Sequence, residues 1–228
     1  MTHYILPPPP VPALPVRGTD ALFPLRRVYC VGRNYAEHAV EMGHDPKREA
    51  PFFFQKNPDN LVSGGSFPYP PASADVHHEV ELVVFLGSGG SDISAAHALD
   101  HVFGYGVGLD MTRRDLQAEA KRLARPWAAA KAFEGSAPCG EIVPASEIGH
   151  PAQGAITLDV NGARVQTGDL RQLIWSVPEA IAHLSRLFHL APGDAMMTGT
   201  PAGVGPVSRG DRLHAHIATI GDLDVTVV

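Results

Sequence analysis

The chain has 228 residues, 44% hydrophobic and 18% charged, with a formal net charge of -6 at pH 7. That is the composition of an ordinary soluble globular protein with one sizeable core, and the acidic balance without a basic cluster leaves no footprint for nucleic acid. No apolar run approaches membrane-spanning length, the N-terminus lacks a secretory pattern, and two cysteines make no disulfide framework, so reduced thiols in a cytoplasm are expected.

Residues 1–25 carry Pro7-Pro8-Pro9-Pro10 and further prolines, which predicts an extended arm rather than a domain. A strand over Val28–Val31 leads through Gly32 to a helix over residues 34–42, with Asn34 as its N-cap and Gly43 as its stop. Pro51–Gln55 reads as a second strand, followed by a loop over Asn57–Gly65. The run His77-His78-Glu79-Val80-Glu81-Leu82-Val83-Val84-Phe85-Leu86 reads as a buried strand. A helix is expected from Ser94 to Val102, then a glycine-rich strand Gly104–Leu109 ending at Asp110. Thr112 with Asp115 resembles a capping box, opening a helix to Ala124.

The second half reads as sheet. Ile156–Val160 and Arg164–Gln166 flank Asn161-Gly162, a strong hairpin signal. Ser176 and Glu179 form a capping box with Pro178 in the first turn, and Val177, Ile181, Leu184 and Phe188 fall on one helical face. Strands near Ala195–Met197, Leu213–Ile217 and Leu223–Val228 close the chain, with Gly221-Asp222 at the last turn. There is no internal repeat. The fold class is α+β and β-rich: the Pro-rich arm 1–25, then a single mixed domain over 26–228.

Side chains alternate along a strand, so Glu79 and Glu81 leave on the same side. Two crowded carboxylates beside a buried strand repel each other and lose hydration, which a hard divalent cation remedies. Asp110, emerging where a strand gives way to a helix, supplies a third carboxylate; the set suits Mg²⁺ or Mn²⁺ rather than a structural zinc. The alternatives are a polar strand face for the glutamates and a helix cap for Asp110.

His38 and Glu41 are spaced i, i+3 and share a helix face, where a carboxylate orients an imidazole as general base. An exposed helix pair is the plainer reading. Lys131, ending the apolar stretch Trp127–Ala130, is either a buried cation facing an anionic substrate or a side chain that snorkels to the surface. Lys56 carries the same ambiguity. Gly199–Gly205 is a glycine-rich loop whose amides, with the Thr200 hydroxyl, could hold a carboxylate; a plain turn accounts for it as well, and it lacks the lysine of a P-loop. His214 and His216 are read as surface or packing residues; His77 and His78 either support the metal carboxylates from behind or, the plainer reading, are structural.

Six stretches together resemble the fumarylacetoacetate hydrolase superfamily: Val31–His38, His77–Leu82, Gly104–Gln117, Lys131-Ala132-Phe133, Val160-Asn161-Gly162 and Thr198–Gly205. They span about residues 28–228 in the family's order and look most like the short bacterial fumarylpyruvate and acylpyruvate hydrolases. The resemblance implies a β-rich mixed roll, usually a homodimer, with Glu79, Glu81 and Asp110 as ligands of Mg²⁺ or Mn²⁺. It implies His38 and Glu41 as the water-activating dyad and Lys131 as a contact to substrate oxygen. Arg114, Gln117 and Thr200 match pocket positions. Lys131-Ala132-Phe133-Glu134 replaces the more usual K-S-F-D, and Asn57 follows Lys56 where proline is common; both bear on pocket shape.

The implied activity is hydrolysis of a carbon–carbon bond in a 2,4-dioxo acid, most simply 3-fumarylpyruvate, to fumarate and pyruvate, in aromatic-ring degradation. Decarboxylation or tautomerisation of a 2-oxo acid such as oxaloacetate on the same metal site is one alternative; a non-catalytic acid-binding protein is another. A second substrate carboxylate would need a cation, for which Arg33, Lys56 and Arg113 are candidates that sequence does not separate.

Overall fold

The structure, a computed structural model, describes residues 3–36 and 49–228. The helix expected over 34–42 falls, from residue 37 on, outside the described residues, as do His38, Glu41 and the Gly43 stop.

Two sheets make up most of the molecule. The six-stranded sheet runs Val143–Pro144, Val102–Leu109, Val80–Leu86, Asp194–Met197, Arg27–Gly32 and Phe52–Lys56 in spatial order. Only the Asp194–Met197 and Arg27–Gly32 pair is parallel. The five-stranded sheet runs Ala163–Asp169, Ala155–Val160, Arg212–Ile217, Gly221–Val227 and Ser66–Phe67. A small third sheet joins Thr112–Arg113, Val76–His78 and Gly205–Pro206.

The Val80–Leu86 strand explains the layering. Val80, Leu82, Val84 and Leu86 enter the main core with Ile156, Leu158, Leu213 and Val225 of the other sheet. Val83 and Phe85 point the opposite way, into a second cluster with Cys30, Met197, Leu14 and Phe23. Both faces are therefore dry, as the near-continuous apolar run requires. The second face accommodates Val83 because its neighbour strand carries glycine: a Cβ on Gly108 would lie 2.6 Å from Val83 Cγ2. Glu79, Glu81 and Asp110 continue this same face beyond its apolar part.

The sequence signals for turns hold where the local chemistry is self-sufficient. Ala155–Val160 and Ala163–Asp169 pair across Asn161-Gly162, whose φ values of 52° and 81° are those of a two-residue type I′ turn. The Ser176–Glu179 capping box forms and opens the Val177–Leu187 helix.

Four local expectations are corrected. Residues 94–102 make turns and one 3₁₀ segment, Ala98–His101, in place of a helix; Ile93, Ala98 and Leu99 give too narrow an apolar stripe to hold one. The Thr112–Asp115 capping box does not form. Thr112 pairs with His77 in the small sheet, and Asp115 accepts from Ser73 Oγ at 2.7 Å and the Ala74 amide at 3.0 Å, so the helix runs Arg114–Arg122. The last turn is Ala218–Ile220, and Gly221 and Asp222 belong to the final strand. Residues 13–24 form a hairpin, Ala13–Pro15 with Leu22–Pro24, whose Leu14 and Phe23 dock on the second cluster.

Candidate active site

The site forms at the end of the Val83 face. Glu81 stands opposite Gly108 in antiparallel register, and the Asp110 amide donates to the Glu79 carbonyl at 2.8 Å, closing the ladder. Three carboxylates thus converge by strand geometry alone: one oxygen from each of Glu79, Glu81 and Asp110 lies within 4.8 Å of the others, and all three residues are buried.

Cations crowd around them. Lys131 Nζ lies 2.7 Å from Asp110 Oδ2 and 2.9 Å from Glu79 Oε2. It is buried, so the snorkelling alternative is excluded. Lys56 Nζ sits 2.9 Å from Asp110 Oδ1 and donates to Ser136 Oγ at 2.9 Å. Arg114 bridges Glu79 and Gln117. Glu81 accepts the Gly199 amide at 2.8 Å and forms no ion pair with a described lysine or arginine. Burial, then the neighbouring Asp110 and Glu79, push the Glu81 carboxyl well above its ordinary range. Burial works against the Lys131 ammonium, but Asp110 and Glu79 more than offset it and hold it charged.

This donor set fits a hard divalent cation: all oxygen, buried, mutually within a coordination sphere's span, and including one carboxylate without an ion pair to a described lysine or arginine.

The loop after the Asp194–Met197 strand is fixed around Glu81. Gly199 has φ 97°, and a Cβ there would meet Asn34 Cβ at 2.8 Å, so only glycine delivers this amide to the carboxylate. The Asn34 side chain donates to the carbonyls of Thr198 (2.8 Å) and Trp175 (2.9 Å) and accepts the Trp175 amide. Gln166, from the hairpin, accepts the Val80 amide at 3.1 Å and donates to Thr200 Oγ1 at 2.8 Å, tying the two sheets together under the site.

A cavity of about 240 Å³ opens above the carboxylates. Of the sequence candidates, Glu79, Glu81, Asp110, Lys131, Arg114, Gln117, Thr200 and Arg33 line it. Lys56 lies beneath it, and Arg113 turns away to the Ala129 carbonyl and the Phe133 ring. His77 pairs with Asp75, His78 with Gln166, and His214 and His216 with Asp224 and Asp222 on an exposed face.

Sequence reasoning missed Lys121 and the aromatic wall of Phe52, Phe54 and Trp127. The signal for Lys121 was available: Arg114, Gln117 and Lys121 follow i, i+3, i+7 and share one helix face.

Residues 27–228 match the family model described as fumarylacetoacetate (FAA) hydrolase, C-terminal. The chain belongs to the fumarylacetoacetate hydrolase family. Among solved family members, the fumarylpyruvate hydrolase of Pseudomonas aeruginosa, in complex with Mn²⁺ and pyruvate, is 50% identical, covers 99% of both chains and superposes with a TM-score of 0.97. The Ralstonia fumarylpyruvate hydrolase is 44% identical over 80% of this chain and 95% of its own. The oxaloacetate tautomerase of Escherichia coli is 38% identical over 84% of this chain and 88% of its own. The β-rich α+β fold of the family is the one observed, and no described helix is long and apolar enough to cross a membrane.

Proposed function

We propose that this protein hydrolyses the C3–C4 bond of a 2,4-dioxo acid, with 3-fumarylpyruvate as substrate and fumarate and pyruvate as products. One observation carries the reading: a buried three-carboxylate site in a chain 50% identical, over its whole length, to a fumarylpyruvate hydrolase solved with Mn²⁺ and pyruvate. Glu79, Glu81 and Asp110 would hold a divalent ion, which when bound supplies positive charge that stabilises the pyruvate enolate leaving group.

The chain's own residues do the rest. His38, oriented by Glu41, takes a proton from the attacking water, a role proposed from the family resemblance. The water oxygen bonds to C4, Lys131 faces the oxyanion formed there, and the C3–C4 bond breaks with its electron pair passing to the enolate, which is then protonated. Arg114, Gln117 and Thr200 orient the substrate on the cavity wall. Lys56 acts from below by holding Asp110.

The oxaloacetate tautomerases among the relatives favour a second reading on the same site. Neither tautomerisation nor decarboxylation consumes an activated water, so the two readings part at His38. The resemblance also carries Mg²⁺ or Mn²⁺ as the resident ion, a homodimer, residues 26–228 as the catalytic unit, and a cytoplasmic role in aromatic-ring breakdown.

The test is a Mg²⁺- or Mn²⁺-supplemented assay on 3-fumarylpyruvate, acetylpyruvate and oxaloacetate side by side, following substrate loss and pyruvate release. Metal-dependent turnover led by fumarylpyruvate supports the proposal. Preference for oxaloacetate replaces it with the second reading.

A further inference from the structure

The wall of the cavity carries two cations that no described carboxylate claims. Lys131, Lys56 and Arg114 are committed to Glu79 and Asp110. Lys121 and Arg33 also line the cavity, yet each rests on a ring instead: Lys121 Nζ is 5.3 Å from the Trp127 centroid, and the Arg33 guanidinium 4.8 Å from that of Phe52. The rings form a continuous path from the carboxylates to these cations. Lys131 Nζ lies 5.2 Å from the Phe54 ring, Phe54 is 5.7 Å from Trp127, and Trp127 is 5.6 Å from Phe52. Partial desolvation against the cavity wall, and then the neighbouring Arg114, depress the Lys121 ammonium even though the residue is exposed overall, with Arg33 adding to the repulsion. An anion placed there relieves it.

We propose that Lys121 and Arg33 bind the distal carboxylate of the acyl group, so that the site selects dioxo acids with a carboxylate-bearing acyl tail over those with a neutral one. This rests on the hydrolase reading of the cavity. The flat conjugated acyl segment lies against Phe52, Phe54 and Trp127, and its far carboxylate meets both cations. Both residues are exposed at the rim, so the contribution is screened by salt.

The experiment compares kcat/KM for fumarylpyruvate and acetylpyruvate in wild type, Lys121→Gln, Arg33→Gln and Lys121→Arg. The fumarylpyruvate-to-acetylpyruvate ratio is expected to fall about tenfold in each glutamine variant, the size of one charge-assisted hydrogen bond. The fall is carried by KM, shrinks at high salt, and is rescued in Lys121→Arg. A ratio within twofold of wild type in both glutamine variants overturns the proposal, as does a fall in kcat alone.

Binding of fumarate and crotonate to the Mn²⁺-loaded protein, measured by calorimetry, decides the matter independently of turnover, since crotonate replaces the second carboxylate by methyl. Fumarate weakened about tenfold in Lys121→Gln, relative to crotonate, sustains the inference even if wild type hydrolyses neither dioxo acid, in which case the hydrolase reading alone fails. Equal affinity of wild type for fumarate and crotonate overturns it.

Discussion

Gly108 stands opposite Glu81 in the central antiparallel pair, and its missing side chain is what lets Val83 pack beside the carboxylates. The geometry of the carboxylate cluster therefore depends on a residue with no functional group. Gly108→Ala places a Cβ 2.6 Å from Val83 Cγ2, a stiff β-branched side chain that cannot swing aside. Overpacking of this kind costs about 1–3 kcal/mol. A chemical denaturation midpoint lowered accordingly, with weakened Mn²⁺ binding, is the expected outcome; Gly108→Ala with unchanged stability would show that the strand pair has slack the structure does not display.

What could be read from sequence follows how local its cause is. The Asn161-Gly162 turn and the Ser176–Glu179 box are set by neighbours in the chain, and both appear as expected. Glu79 and Glu81 share a face because strand alternation is local, and Asp110 joins them through register. Asp115 shows the opposite case: it has the spacing of a capping box, but the Ser73 hydroxyl and Ala74 amide, distant in sequence, take its oxygens. Gln166 was equally unreadable, since it links Val80 to Thr200 only once two sheets have packed. The partitioning of cations was also hidden. Lys56, Lys121 and Lys131 look alike in sequence, and only the packing places one below the cavity and the other two on its wall.

Glu81 is crowded by two carboxylates and lacks an ion pair with any described lysine or arginine. Glu81→Gln keeps an acceptor for the Gly199 amide while removing that repulsion. The metal-free variant should be more stable than wild type, by on the order of 1 kcal/mol. It should lose the rise in Tm that Mn²⁺ gives the wild type, because the ligand set is one charge poorer. Thermal unfolding with and without Mn²⁺ reads both effects. A variant that is less stable without metal would mean that the Gly199 contact, not the crowding, dominates at this position.

His38→Ala separates the two chemical readings. If the imidazole activates water, kcat for fumarylpyruvate falls by about 10²–10⁴-fold while Mn²⁺ affinity is retained, since the carboxylates hold the ion. Turnover of oxaloacetate, which consumes no water, should fall much less. Parallel loss on both substrates would instead assign His38 to a step that the reactions share, such as proton transfer at C3.

Cys30 and Cys139 are both free and buried in the second cluster. Burial raises both thiols, Cys139 to about 12 and Cys30 well above its ordinary value, where the nearby Asp110 adds to the effect. A thiol with a pKa near 12 is ionised to about one part in ten thousand at pH 8, and the thiolate is the reactive form. The native protein should therefore resist alkylation by iodoacetamide at pH 8, and both thiols should react once it is unfolded in urea. Because the raised pKa belongs to the folded state, the thiols favour folding while protonated, and that contribution fades as pH rises from the unfolded-state thiol value towards about 12. Rapid labelling of the native protein at pH 8 would place at least one thiol outside the dry layer that supports the carboxylates.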